Sequence, residues 1–296
     1  MQQKELGSTF GVRLLLVLYR VLGRCVMGWI LWLVALYYTC FYSRIRQASR
    51  GFLKRVLVQP PGFWKVQHHV TMFAKVTFHR VLWISGKQDS FDVYTEDEDV
   101  GQLAELTESG SGALFLTSHM GNAAAFSPDL LPEGFKMNIA GYYSNAERIN
   151  AIYSNLSSIE APTIINLEGI GASSMVLLHD LLEKGQGVTL AADRTGVGDR
   201  TLEVDFLGSP VSFPAGPFLL AALSHCPVFF AVAVFSEPNC YELICRKLHA
   251  GIDVSRGERD EAVLELAGRY VEQLEICCKA YPFNWFNFYS FWEHSD

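Results

Sequence analysis

The chain has 296 residues, 50% of them hydrophobic and 13% aromatic, which is ample for one large core or a core with a small appendage. Its seven cysteines are odd in number and lack zinc-like spacing, which argues against a disulfide framework and a zinc site and reads as buried free thiols in a reducing compartment. The net charge of −7 divides sharply: residues 1–80 hold 12 Lys/Arg against one acid, Glu5 (+11), and residues 81–296 hold 12 against 30 (−18). Such a basic first quarter points to an anionic surface as partner, and its long apolar stretches favour lipid over nucleic acid.

Residues 1–10 are polar. Residues 12–42 are overwhelmingly apolar, interrupted early by Arg13, Arg20 and Arg24. Residues 25–43 form a 19-residue uncharged stretch, close to the roughly 20 residues that cross a bilayer core. Arg44, Arg46, Arg50, Lys54 and Arg55 follow at once, favouring a cytoplasmic downstream side. The stretch is expected to span a membrane or lie in its plane, a buried structural helix being the alternative. Residues 44–85 continue as helix, broken at Pro60-Pro61, with aromatics interleaved among basic residues. That pattern suits lipid headgroups or an ordinary core-facing helix.

Strands are expected at 91–94, 113–116, 137–143, 163–167 and 187–192, with helices at 97–109, 123–131, 144–156 and 173–184. A hairpin-like turn at Gly208, a short helix at 218–224, strands at 227–235 and 241–248, and an amphipathic helix at 259–280 follow. An aromatic tail closes the chain at 281–292. The alternation predicts an α/β fold: a mixed, largely parallel central sheet flanked by helices. The organisation is a membrane-anchoring helical segment, 1–82, followed by one domain, 83–296.

Ligands of open α/β sheets bind beyond the carboxyl ends of strands. His119 stands there after the 113–116 strand, and Asp193 and Arg194 stand there after the 187–192 strand. An imidazole suits general-base work near neutral pH. The plainer reading of His119 is a cap on the following helix. Asn122 and the N–H groups after Gly121 are candidates to stabilise an oxyanion, or simply a turn. Arg194 is a candidate phosphate fork or a structural ion pair. Gly216 and Pro217 read as a shaped loop near substrate. The aromatic tail either lines an apolar ligand or packs the core. The remaining histidines show no ligand spacing, so no metal and no cofactor are expected.

With these pieces in order, the chain resembles the bacterial lysophospholipid acyltransferase-like superfamily, most of all the lauroyl/myristoyl acyltransferases of lipid A biosynthesis and related predicted acyltransferases. The resemblance rests on the apolar segment followed by Arg46-Gln47-Ala48-Ser49-Arg50, Ser118-His119-Met120-Gly121-Asn122, and Ala192-Asp193-Arg194. It rests further on Phe206-Leu207-Gly208, on Phe213 to Phe218, and on the tail from Trp285 to Trp292. It implies acyl transfer from an acyl carrier protein or coenzyme A thioester to a lipid or glycolipid hydroxyl, on the cytoplasmic side of the bacterial inner membrane. It also implies a catalytic His with an acid five residues later. His119 matches the first position, but five residues on stands Ala124, and the next acid, Asp129, lies too far along to be the same group. Three explanations stay open: Asp193 approaches His119 in space, His119 works alone in a weak enzyme, or the fold is kept for lipid binding without catalysis. A serine hydrolase would need a Gly-x-Ser-x-Gly elbow, which Ser109-Gly110-Ser111-Gly112 is not.

Overall fold

The computed structural model describes residues 9–87, 90–96, 101, 111–125, 135–141, 162–168, 173–195 and 200–292. The expected helix at 144–156, nearly all of that at 97–109 and most of that at 123–131 lie outside them.

Three helices open the chain: α1 (Thr9–Phe41), α2 (Ser43–Val56) and α3 (Phe63–Ile84). The strands are β1 (Asp92–Thr95), β2 (Ala113–Thr117), β3 (Met137–Gly141), β4 (Thr163–Asn166), β5 (Gly187–Ala191), β6 (Thr201–Phe206), β7 (Ser209–Pro214), β8 (Val228–Ser236) and β9 (Cys240–His249). The later helices are α4 (Ser173–Glu183), α5 (Gly216–Ser224) and α6 (Arg259–Ala280). Seven strands form one sheet in the order β1-β9-β8-β2-β5-β3-β4. The five from β8 to β4 run in parallel, β9 is antiparallel to β8, and β1 is parallel to β9. The fold is therefore α/β with a largely parallel sheet, as the alternation predicts.

Every residue of β2 is buried, as expected of a central parallel strand covered on both faces. Side-chain alternation divides the two faces. Leu114, Leu116, Val188, Phe230 and Val232 join Leu182, Phe218, Leu266 and Tyr270 of α4, α5 and α6 in the main core. Ala113, Phe115, Phe229 and Ala231 belong to the opposite face. At its β8–β9 end that face packs on α3, where Met72 and Val76 meet Phe235, Tyr241 and Leu243.

β6 and β7 form a separate hairpin joined by Leu207-Gly208, both at positive φ (52° and 81°). This is the arrangement of a two-residue turn matched to strand twist. The Leu207 N–H donates to Glu275 Oε1 of α6 (2.5 Å), fixing the strained residue.

One boundary differs from expectation, the start of the helix expected at 123–131. Asn122 Oδ1 accepts the Ala124 N–H (3.2 Å) and Asn122 O accepts the Ala125 N–H (2.9 Å). The stretch Ala123–Ala125 is accordingly a single 3₁₀ turn, because the Asn side chain competes with an α-helical start. Phe52, Leu53 and Val66 of α2 and α3 sit in the cluster that holds Leu114 and Trp285, so these helices contribute to the main core. The seven cysteines are free, and Cys226, Cys245, Cys277 and Cys278 are buried.

Candidate active site

The pairing of β2 with β5 aligns Thr117 with Ala191. Two residues beyond that pair, on the same edge, come His119 and Asp193. Beyond the last aligned pair the Ala192 N–H still donates to Thr117 O (3.0 Å), so the register carries past the strands. His119 Nδ1 lies 2.7 Å from Asp193 Oδ1. The His119 backbone N–H donates to Asp193 Oδ2 (2.9 Å). The carboxylate is fully buried, while the imidazole is 36% exposed. An ionised carboxylate only accepts, so Nδ1 carries the proton and Nε2 is left as the free acceptor.

Burial alone would raise the affinity of Asp193 for a proton. The charge and hydrogen bonds of His119, together with Arg194, outweigh it and pull the carboxyl down to about 2. Oδ2 accepts two further donors, Trp285 Nε1 (3.0 Å) and Asn287 Nδ2 (3.2 Å). A carboxylate accepting several N–H groups is strongly held in its charged form.

Both of those donors come from the tail after α6. The tail crosses the strand ends: Phe286 N–H donates to His119 O (2.8 Å), Gly121 N–H donates to Asn284 O (2.8 Å), and Asn284 pairs with the backbone of Phe235 through both its side-chain atoms. Tyr270 OH donates to Thr117 O (2.9 Å), fastening the end of β2 to α6.

Trp285 is also tied to the N-terminal helices. Its carbonyl lies 2.8 Å from His69 Nε2, and His69 Nδ1 lies 2.9 Å from Ser49 Oγ. A carbonyl only accepts, so His69 donates through Nε2 and receives the Ser49 hydroxyl at Nδ1. The tautomer is thereby fixed. The ring is wedged among Phe52, Phe286 and Phe288. Burial, against a hydrogen bond to Trp285 and with a contribution from His68, pushes His69 down to about 4.

This yields an acid-stability prediction. An unfolded histidine binds its proton near pH 6.5, but folded His69 does not until about 4. The stabilisation is complete above 6.5 and is lost as pH falls toward 4, by about 3 kcal/mol at pH 4. His79, pushed down to about 3 chiefly by burial, acts with the same sign, and Asp193 acts only at lower pH. Denaturant unfolding in detergent from pH 7.5 to 4.5 should steepen accordingly. His69→Asn should flatten that pH dependence by about half, and an unchanged slope would contradict the assignment.

The other expected residues fall differently. Arg194 Nε donates to Asn287 Oδ1 (2.5 Å) and Nη2 to Phe286 O (2.8 Å), with the guanidinium 5.7 Å from the Tyr289 ring centroid. Its fork is engaged in holding the tail. Asn122 is buried, with its oxygen in the 3₁₀ turn and its amide nitrogen without a hydrogen-bond partner among the described residues. The N–H groups of Gly121, Asn122, Ala124 and Ala125 are all bonded within the protein. Gly216 and Pro217 open α5, and Pro217 is buried. Among the described residues, no three His, Cys, Asp or Glu side chains converge on one point. Trp285, Asn287 and His69 escaped the sequence reading. The only signal was two polar tail groups, the Trp285 indole and the Asn287 amide, amid aromatics.

No protein-family model matches the chain, and no curated protein matches it.

Proposed function

We propose that the chain is a membrane acyltransferase that moves a fatty acyl group from an acyl carrier protein or coenzyme A thioester to a lipid or glycolipid hydroxyl, with His119 as general base. The observation that carries this reading is the 2.7 Å contact between His119 Nδ1 and the buried Asp193 carboxylate. It offers a carboxylate partner where Ala124 supplies none, which supports catalysis over an inactive lipid binder on the same fold.

The chemistry follows from the tautomer. Nε2 accepts the proton of the acceptor hydroxyl as its oxygen attacks the thioester carbonyl. Asp193 stabilises the imidazolium that forms, as in a hydrolase triad without a protein nucleophile. The tetrahedral intermediate collapses, the C–S bond breaks, and the departing thiolate takes the proton from Nε2. The products are an ester and a free thiol, and His119 is restored. The basic residues of the first quarter suit an acidic acyl carrier protein as well as an anionic membrane, which agrees with a site on the cytoplasmic side of a bacterial inner membrane.

The test is thioester turnover by the detergent-purified full chain with a lipid acceptor. Wild type transfers acyl chains, and His119→Ala loses at least about 10³-fold in rate, of the order expected when the base of such a unit is removed. Equal transfer by the two proteins would sink the reading.

A further inference from the structure

Leu16–Phe41 of α1 is the one stretch among the described residues that is long and apolar enough to cross a bilayer. The way it is packed argues that it does not. At Gly23 the backbone leaves helical geometry (φ 74°, ψ 178°), which divides α1 into two segments. The segment from residue 24 to 41 is about 27 Å long at about 1.5 Å per residue, at the lower limit for a roughly 30 Å hydrocarbon core, so length alone does not decide between a span and an in-plane seat.

More decisively, α1 runs antiparallel along α3. The Tyr19 ring lies 5.5 Å from that of Phe78, Met27 is buried with Met72 and Val76, and the Trp32 carbonyl accepts from Gln67 Nε2 (3.2 Å). Thirteen residues up α1 correspond to eleven down α3. α3 is itself seated on the β8–β9 end of the sheet face, where His79 Nδ1 meets Tyr241 OH (3.0 Å) and Lys75 pairs with Glu237. If α1 crossed a membrane in this packing, α3 and part of the sheet would enter the hydrocarbon with it.

The face of α1 turned away from α3 is apolar and exposed: Val21, Val26, Trp29, Leu33, Tyr37 and Phe41 recur at three- to five-residue spacing. Arg20, and Arg44, Arg50 and Lys54 of α1 and α2, are exposed beside it in sequence. Residues 6–88 contain neither Asp nor Glu. An apolar stripe flanked by exposed cations is the composition of a helix seated at the boundary between headgroups and acyl chains of an anionic leaflet.

We infer that α1 is an in-plane anchor: the chain binds one anionic leaflet, keeps both its N-terminus and its α/β body on the same side, and takes its lipid partner from that leaflet. This is independent of whether His119 and Asp193 transfer an acyl group.

The test is two-sided labelling in bacterial membranes. The full chain, with Cys25→Ser and Cys40→Ser to remove the exposed thiols, carries either Ser8→Cys or Glu261→Cys as reporter, Glu261 being exposed on α6. A membrane-impermeant maleimide is applied to intact spheroplasts and to inverted vesicles, with detergent-opened membranes as the reference. Both reporters should react from the same side, to at least about 80% of the reference, with the protein in the membrane pellet. Reaction of the two reporters from opposite sides would overturn the in-plane anchor. Recovery of the protein in the soluble fraction would overturn the leaflet as its occupant. Leu33→Glu should shift the chain at least tenfold toward the soluble fraction while leaving its circular dichroism unchanged; full membrane retention would contradict contact through this face.

Discussion

Replacing Asp193 by Asn is expected to lower the proposed acyl transfer by about 10³ to 10⁴-fold while leaving the fold intact. Three donors converge on Asp193 Oδ2: the His119 N–H, Trp285 Nε1 and Asn287 Nδ2. An asparagine must keep its carbonyl oxygen there, or bury three donors without an acceptor. Its amide N–H group is then turned toward His119 Nδ1 at the position now held by Oδ1. Donor would face donor unless the imidazole moves its proton to Nε2, and an imidazole protonated at Nε2 is no base for the acceptor hydroxyl. The measurement is the rate at saturating acceptor, with thermal unfolding as the control for folding. A loss of less than tenfold would show that His119 works without this carboxylate. Ala124→Glu, in contrast, should change the rate by no more than a few-fold. The Nδ1 position is already filled, and Ala124 sits in a turn closed by Asn122.

The largest effect on stability is expected from Gly121→Ala. Gly121 has φ +61°, and a Cβ built there would lie 1.7 Å from the Ala233 carbonyl oxygen of β8. The left-handed conformation costs an alanine about 1 kcal/mol or more. The overlap is with backbone, so it cannot be relieved by turning a side chain. Gly121 N–H also donates to Asn284 O, and the next N–H, of Asn122, donates to Ala233 O, both at 2.8 Å. The chain after His119 is therefore laced between the tail and β8 with no room to shift. The substitution should cost more than about 3 kcal/mol in denaturant unfolding and abolish transfer by displacing His119. Gly216→Ala is the matched control, because a Cβ there meets nothing within 4 Å and φ is not in the left-handed range. It should be close to neutral, and equal damage from the two substitutions would refute the steric account.

The sheet was legible in the sequence because its central strands are short apolar runs bounded by glycine or polar residues, as at 113–117 and 187–191. Parallel strands collect their carboxyl ends on one edge, so Asp193 could be nominated for His119 from position alone. The aligned offset of Thr117-to-His119 and Ala191-to-Asp193 is what turns that nomination into a contact, and register is a tertiary property. The tail was less legible. Its aromatics read equally as core or as ligand lining, since nothing local says that the Trp285 indole and the Asn287 amide reach a carboxylate some 90 residues earlier in the chain. Arg194 stayed open between two readings for the same reason: a guanidinium at a strand end reads as an anion site or as a structural pair until the tail closes over it. The 25–43 stretch passes a test of length and composition for a span, but Gly23 and the antiparallel seat on α3 are properties of the fold.

The most direct test of the central claim, that Asp193 serves as the carboxylate partner of His119, is the ¹⁵N–¹H spectrum of the His119 ring in histidine-labelled full chain, assigned with His119→Ala. A proton on Nδ1, shifted downfield by its hydrogen bond to a carboxylate, is expected in wild type and in Ala124→Glu and is lost in Asp193→Asn. A wild-type ring protonated on Nε2, or an Nδ1 proton unmoved by Asp193→Asn, would contradict the claim.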